Sequence, residues 1–195
     1  MSLSIDEIIS NIYEVSSLGG DYKNKTTFNE NTVGHSIYGE ITQTGTNALV
    51  NHFKEYFNED SVFYDLGSGL GKMVLHIGLQ YKIKKCVGIE YSKERHAGAI
   101  FLQQKYAPNN STIQLKKENF LHSDFSDATI IYLDNTVVPT PLLKKIYPLI
   151  PPGCLFIYKK RIRSYEIKIK EEQHLEKNLV KRTYNQNDIR WLIKE

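Results

Sequence analysis

The chain has 195 residues, of which 41% are hydrophobic and 24% are charged, and its formal net charge is +3. These values are typical of one globular domain, exclude wholesale disorder, and do not by themselves indicate nucleic-acid binding. A secretory signal and an apolar run of about 18 residues are both lacking, so we expect an intracellular, cytoplasmic protein with no membrane partner. Cys86 and Cys154 lie in apolar runs, where buried thiols are expected rather than a disulfide or metal ligands.

The spacing of the apolar residues predicts helices and strands that alternate along most of the chain. Two helices come first, over residues 3–16 and 44–57, with a polar loop over 21–36 between them. Five strands are predicted next, with three helices among them: strands 61–66, 85–90, 112–116, 128–133 and 154–158, and helices 71–82, 92–106 and 141–147. Two β-prone runs, 173–184 and 188–193, predict a terminal hairpin. The predicted fold is therefore α/β, with a doubly wound, mostly parallel seven-stranded sheet and a C-terminal antiparallel hairpin.

A glycine-rich loop follows the first predicted strand. It contains Gly67, Ser68, Gly69 and Gly71, and a helix begins directly after it. Glycines allow bare backbone N–H groups to approach a ligand, and the start of a helix adds partial positive charge. Glu90 ends the next strand at the same edge of the sheet, where a carboxylate suits the two hydroxyls of a ribose. This arrangement predicts a nucleoside-bearing cofactor.

The spacing of the glycines distinguishes between cofactors of that kind. Lys72 occupies the position of the third glycine in the dinucleotide fingerprint G-x-G-x-x-G. The G-x-G-x-G spacing, preceded by Asp65 at the strand end, instead resembles class I S-adenosylmethionine (SAM) methyltransferases. Asp65 suits the positive sulfonium of that cofactor, so we predict SAM. A nicotinamide or flavin cofactor and a turn that binds nothing are the alternatives left open.

Polar residues also follow the third and fourth predicted strands, at the edge where a doubly wound sheet binds its ligand. Asn119 and Phe120 suit an adenine ring, although Asn119 also suits a turn cap and Phe120 a core position. Asp134, Asn135 and Thr136 lie where a methyl acceptor would enter, or form a plain turn. Because Asn135 and Thr136 replace the prolines of a [DN]-P-P-[YFW] motif, DNA-adenine and glutamine methylation are not favoured.

Three segments together resemble the non-SET histone-lysine methyltransferases of the disruptor-of-telomeric-silencing family. They are Tyr38-Gly39-Glu40, the D-L-G-S-G-x-G-x-x-V loop, and Gly88-Ile89-Glu90. The similarity covers residues 36–160, and the upstream Tyr-Gly-Glu is its most specific part. The resemblance implies that residues 1–43 form a helix-and-loop extension closing over the cofactor, and that residues 44–195 form the SAM-dependent methyltransferase domain.

The resemblance also implies roles for individual residues. The implied cofactor contacts are Tyr38 and Thr42 closing over SAM, Glu90 on the ribose, Asn119 and Phe120 on the adenine, and Asn135 lining a lysine channel, beside Asp65, Gly67, Ser68, Gly69 and Gly71 of the loop. The predicted catalytic residues are Tyr38, Asp134 and Asn135, with Asp134 as a base or as the group that orients the amine. The histidines show no ligand spacing, so no metal is predicted.

The sequence thus predicts a SAM-dependent protein-lysine N-methyltransferase with histone-lysine-like chemistry. Its partner is a protein substrate that bears the target lysine, and a histone substrate would imply a nuclear location. RNA or a small molecule is the alternative acceptor, and an inactive SAM-binding module is a third interpretation. The basic segment 159–182 suggests a nucleic-acid or acidic-protein contact, against the simpler interpretation of a solvated hairpin.

Overall fold

The protein is described by a computed structural model over residues 3–15, 40–136, 138–159, 173–174 and 189–195. Its helices are α1 (Ile5–Glu14), α2 (Gln43–His52), α3 (Lys72–Gln80), α4 (Lys93–Tyr106) and α5 (Thr140–Ile146). Its strands are β1 (Val62–Leu66), β2 (Lys85–Glu90), β3 (Ile113–Lys117), β4 (Ile130–Leu133), β5 (Leu155–Tyr158), β6 (Gln173–His174) and β7 (Arg190–Ile193). No helix within these ranges is both long and apolar enough to span a membrane.

The strands form one seven-stranded sheet in the order β3-β2-β1-β4-β5-β7-β6. The first five pair in parallel, whereas β7 runs antiparallel to both β5 and β6. The predicted doubly wound sheet with a terminal antiparallel pair is therefore confirmed. The strand order reverses between β1 and β4, which opens a crevice at their carboxyl ends.

Both faces of the sheet are covered, which explains why its strands read as continuous apolar runs. All five residues of β1 are buried. Phe63 joins the core cluster under α1, α2, α3 and α4, whereas Tyr64 joins the cluster on the opposite face with Leu143 and Ile146 of α5. Cys86 and Cys154 are buried free thiols in these layers, as predicted, and burial raises the pKa of each.

Two predicted elements differ from the structure in extent. The helix predicted over 44–57 ends at His52, because the Phe53 ring packs into the core against Trp191 and the chain turns there. The terminal hairpin contains a β6 of only two residues, which pairs with Trp191 and Arg190. The remaining residues predicted for its first strand, 175–184, lie outside the described residues.

Candidate functional site

The glycine loop connects the end of β1 to the start of α3. Gly67, Gly69 and Gly71 all have positive φ, between 57° and 90°. Gly71 is also the N-cap of α3, and a Cβ there would lie 3.0 Å from Leu115 and 3.3 Å from Ala99. A side chain at this position would therefore meet both backbone strain and a steric clash. The three glycines are needed for the fold of the loop itself.

The loop is held tightly over β2. The N–H groups of Gly67 and Ser68 both donate to the Ile89 carbonyl, at 2.8 and 3.1 Å. Gly88 allows this approach, because a Cβ at that position would lie only 2.7 Å from the Ser68 hydroxyl oxygen. The pairing of β1 with β2 also places Asp65 opposite Gly88. The close contact between loop and strand explains the glycine in the Gly-Ile-Glu segment.

Glu90 at the end of β2 connects the loop to the start of α4. Its Oε2 accepts from the Gly69 N–H at 2.9 Å, while Oε1 accepts from the Ser92 N–H at 2.7 Å. Arg95 donates to the same Oε1 at 2.8 Å. The carboxylate is thus 4% exposed, and its position relative to the loop is fixed by three donors.

A cleft opens where the strand order reverses. The residues lining it are Glu40, Ile41, Asp65, Gly67, Ser68, Gly69, Lys72, Met73, Tyr132 and Asp134. Five of them were predicted as site residues from the sequence: Asp65, Gly67, Ser68, Gly69 and Asp134. The lining side chains carry three carboxyl groups and one cation, so the cleft is suited to a positively charged ligand.

Asp65 lies at the base of this cleft and is 6% exposed. Burial, together with the nearby carboxylates of Glu90 and Asp134, raises the pKa of its carboxyl group to about 8. A carboxyl group in this position retains its proton near neutral pH until a positive charge arrives. Asp65 is therefore poised to respond to a cationic ligand.

Glu40 and Lys72 join the chain upstream of α2 to the glycine loop. The Lys72 ammonium lies 2.9 Å from Glu40 Oε2, and the lysine side chain is 3% exposed. Sequence reasoning used Lys72 only to exclude a dinucleotide fingerprint and assigned it no role. The pairing could not be read from local patterns because the two residues are 32 positions apart.

The residues after β3 and β4 are held mainly by local bonds. Asn119 Oδ1 accepts from the Leu121 N–H at 3.0 Å, and Phe120 packs against the core cluster that contains α5. Asp134 Oδ1 accepts from the Thr136 N–H and from its hydroxyl. Asn135 is fully buried, and its Oδ1 accepts from the Lys159 N–H at 3.0 Å. Asn119, Phe120 and Asn135 are not among the residues that line the cleft, so their contacts with a ligand stay predictions.

The two upstream residues of the predicted site differ in status. Thr42 is the N-cap of α2, where its hydroxyl oxygen accepts from the Gly45 N–H at 3.1 Å. Its neighbour Ile41, rather than Thr42, lines the cleft. Tyr38 lies outside the described residues. Both cofactor contacts therefore remain predictions.

Besides Lys72, the sequence analysis did not predict four of the residues that line the cleft: Glu40, Ile41, Met73 and Tyr132. It used Glu40 only as part of the Tyr-Gly-Glu segment. Tyr132 pairs with Asp65 across β1 and β4, so its place beside the switch point follows from strand register. Alternation along the predicted fourth strand was the signal that could have found it.

Comparison with known proteins identifies the family of this chain. Residues 22–191 match the family described as "Histone methylation protein DOT1". The chain belongs to this family. The match covers most of the chain, including the glycine loop, the end of β2 and the residues after β4, and it confirms the resemblance seen in the sequence.

Individual relatives support the same class of enzyme. A "Protein-lysine N-methyltransferase" of Saccharolobus islandicus (strain REY15A) is 28% identical over 114 residues, which are 58% of this chain and 66% of that relative. The match thus spans slightly under two thirds of the relative's own length.

Solved structures confirm the fold. An RNA methyltransferase from Salinibacter ruber, in complex with S-adenosyl-L-homocysteine, aligns with a TM-score of 0.59 at 20% identity, over 80% of this chain and 94% of that one. A SAM-dependent methyltransferase from Geobacter sulfurreducens, with the same ligand, aligns with a TM-score of 0.52 at 16% identity, over 65% of this chain and 51% of that one.

The described residues of the DOT1-family cleft fit the cofactor SAM. The cofactor carries a sulfonium and an ammonium cation, and Asp65, Asp134 and Glu40 supply carboxyl groups around the cleft. Its ribose needs acceptors close to the glycine loop. Glu90 accepts from the Gly69 N–H at 2.9 Å and so lies beside that loop, but it is not among the residues that line the cleft. The glycines place no Cβ between the loop backbone and the cleft. Their N–H groups, which the sequence analysis assigned to a ligand, donate instead to Ile89, Glu90 and Ser68.

Proposed function

We propose that this chain is a SAM-dependent methyltransferase that transfers methyl groups to lysine side chains of proteins, with a histone-like basic protein as the substrate class. The observation that carries the proposal is the acidic character of the cleft, in which Asp65 and Asp134 lie beside Tyr132. A cationic lysine is attracted to such a cleft, whereas the phosphates of RNA are repelled from it. The family match and the name of the archaeal relative favour the same acceptor.

SAM supplies a methyl group that its positive sulfur already activates, so the protein mainly has to align a nucleophile. The glycine loop and Glu90 would hold the nucleoside, while Asp65 would face the positive part of the cofactor. The 2.9 Å bond between Glu90 and Gly69 and the presence of Asp65 in the cleft support these assignments. The acceptor would then enter past Asp134.

Asp134 has two opposing effects on a lysine acceptor. Its Oδ1 is held by Thr136, which fixes the carboxylate at the mouth of the cleft. A fixed carboxylate guides the protonated amine inward, but it also favours the protonated form, which cannot attack. The reference pKa of lysine is about 10.4, so the amine must lose a proton before transfer. We propose that Asp134 orients the amine, accepts the proton that the amine loses, and passes that proton to water at the mouth of the cleft.

Asn135 and Tyr38 take supporting roles in this proposal. The buried Asn135 amide holds the Lys159 N–H and so joins the loop after β4 to the end of β5. We propose that it positions Asp134 and the wall of the lysine channel. We also propose that Tyr38 and Thr42 close over the cofactor from upstream. Asn119 and Phe120 would contact the adenine ring.

The acceptor class can be tested with radiolabelled SAM and a mixed cell lysate. We expect label in protein that survives nuclease treatment, is removed by protease, and is mapped to methylated lysine by mass spectrometry. Histones whose lysines have been chemically acetylated should accept no label. Label that follows RNA or small molecules would replace the proposal. Cofactor binding without any labelled acceptor would instead identify an inactive SAM-binding module.

The role of Asp134 can be tested with Asp134→Asn. We expect at least about a tenfold loss of lysine methylation at low acceptor concentration, because one charged contact with the amine is lost. Asp124→Asn is a matched control, since Asp124 forms the same kind of turn with Ser126 and does not line the cleft. Equal activity of the two variants would remove Asp134 from the catalytic proposal.

A further inference from the structure

The Lys72 side chain is a buried cation inside an acidic cleft. It is 3% exposed and is the one basic side chain among the described residues that line the cleft. The other charged side chains there, those of Glu40, Asp65 and Asp134, are acidic. Burial lowers the pKa of the Lys72 amine, and Glu40 opposes that effect. A buried ammonium group is costly unless it is paired, so its presence in the cleft calls for a reason.

The position of the ammonium group is fixed from two sides. It donates to Glu40 Oε2 at 2.9 Å and to the Tyr13 backbone carbonyl at 3.4 Å. The Tyr13 ring also lies with its centroid 6.0 Å from the nitrogen. An ammonium has three N–H donors, and within the described residues these two acceptors use two of them. No described acceptor takes the third, and Lys72 lines the cleft.

The cofactor proposed for this cleft also carries an anion. Besides its two cations, SAM has an α-carboxylate, which the acidic groups of the cleft would repel. A carboxylate in this environment requires a local cation, and charge-assisted bonds to ammonium groups are among the stronger polar contacts in proteins. Lys72 is the described lining residue that can supply one.

We propose that Lys72 binds the α-carboxylate of SAM, with Glu40 and the Tyr13 carbonyl holding its ammonium group in place. This inference rests on the SAM-binding part of the proposed function and not on the identity of the methyl acceptor. Lys72 then determines cofactor specificity, because it favours ligands that retain the carboxylate. Glu40 of the upstream segment acts through Lys72 as a positioning residue.

Decarboxylated SAM is the probe that tests this proposal. It lacks the carboxylate and is more positive than SAM, so the general electrostatics of an acidic cleft favour it over SAM. A preference for SAM therefore requires a specific partner for the carboxylate. By calorimetry, the unaltered protein should bind SAM about 10- to 100-fold more tightly than decarboxylated SAM. Equal affinity, or tighter binding of decarboxylated SAM, would overturn the proposal.

The variant Lys72→Met completes the comparison. Its affinity for SAM should fall by about 10- to 100-fold, while its affinity for decarboxylated SAM should be unchanged or higher. Lys72→Arg should retain the preference for SAM. Lys85→Met is the matched control, because Lys85 is also ion-paired, with Asp127, but lies at the start of β2, away from the cleft.

The outcomes separate a binding role from a structural one. If Lys72 only anchors Tyr13 and Glu40, Lys72→Met will weaken both ligands equally, and the proposal fails. If that variant does not fold, Lys72→Gln replaces it, with the same expected loss of preference. Because no methyl acceptor is present, the result is independent of lysine methylation. Failure of the unaltered protein to bind either ligand would overturn the cofactor site as well.

Discussion

Asp65 is surrounded by charged and titratable groups from several elements of the fold. Glu90 ends β2, Asp134 follows β4, and Lys72 begins α3 beside Glu40. Tyr13 of α1 also interacts electrostatically with Asp65. Burial and the carboxylates of Glu90 and Asp134 raise the pKa of Asp65 to about 8, so this carboxyl group retains its proton near neutral pH. A cationic cofactor favours the ionised carboxylate, and binding should therefore release that proton.

We predict that SAM binding near neutral pH releases up to one proton from Asp65. The affinity should rise as the pH rises towards about 8 and level off above it, because less protonated carboxyl then has to ionise. Calorimetry in two buffers of different ionisation enthalpy, such as phosphate and Tris, measures the released proton. The observed binding enthalpy should differ between the buffers.

Asp65→Asn should abolish this difference between buffers while leaving the protein folded. A rise in pH lowers the stability that Asp65 contributes to the ligand-free protein, whereas it raises the affinity for SAM. Because the folded pKa is raised from 3.8 to about 8, the ligand-free protein loses stability from this group as the pH rises through that interval. Asp65→Asn should therefore flatten the pH dependence of unfolding there. A buffer-independent enthalpy for the unaltered protein would contradict the prediction.

Glu90 should contribute to cofactor affinity through its charge. Glu90→Gln keeps the shape of the side chain but weakens its bonds with Gly69, Arg95 and a ribose hydroxyl. We expect SAM binding to weaken by about 1–3 kcal/mol in calorimetry. Glu94→Gln is the control, because Glu94 bonds to the Ser92 hydroxyl at the same helix start and is exposed. Unchanged affinity in Glu90→Gln would remove the ribose assignment.

At the scale of elements, α3 determines how the loop meets the sheet. The helix begins at the cleft with Lys72 and packs closely on the sheet at Gly78. A Cβ at Gly78 would lie against Ile113 Cγ1 and 2.9 Å from its Cδ1. The glycine in mid-helix is therefore retained for close packing against β3, despite its low helix propensity.

Gly78→Ala tests this packing. Helix propensity alone would stabilise the variant by about 1 kcal/mol, whereas overpacking costs about 1–3 kcal/mol. Because the clash involves a buried side chain, we expect a net loss of stability of about 1 kcal/mol in urea unfolding. Gln104→Ala, on the exposed side of α4, should change stability by less than about 0.5 kcal/mol. A more stable Gly78→Ala protein would contradict the expectation.

At the scale of the whole molecule, α1 is joined to the methyltransferase core. Ile12 is fully buried and belongs to the core cluster on the α3 face. The Tyr13 hydroxyl lies 2.8 Å from Thr46 Oγ1 and 3.1 Å from His76 Nδ1, so it connects α1 with α2 and α3. Burial lowers the pKa of His76 to about 4, so this link contains a neutral imidazole at physiological pH. We therefore expect α1 to unfold together with the domain.

Ile12→Ala should destabilise the whole protein by about 2–4 kcal/mol, because it leaves a cavity in the shared core. Fluorescence and far-UV circular dichroism should report one coincident transition. Ile5→Ala in the same helix is the control, since Ile5 is 41% exposed, and it should change stability by less than about 0.5 kcal/mol. A separate early transition in Ile12→Ala would show that the N-terminal helix folds as an independent unit.

Local patterns were sufficient for much of the fold. Strand β2 begins and ends where the sequence predicts, because its apolar run is bounded by turn residues and its period is clear. The end of α2 was not predictable, since the Phe53 ring turns the chain by packing on Trp191, far away in sequence. Thr42 caps α2, a role that the sequence analysis did not assign to it, and its cofactor contact stays a prediction.

Local sequence was enough to predict the doubly wound sheet, the glycine loop and the acid at the end of β2. These features depend on side-chain period and backbone conformation within short segments, so neighbouring residues are enough to specify them. The pairing of Lys72 with Glu40 and the bond from the Lys159 N–H to Asn135 became visible only when the chain was folded. Both contacts join residues more than 20 positions apart, and burial, which no local pattern reports, sets the charge state of Asp65.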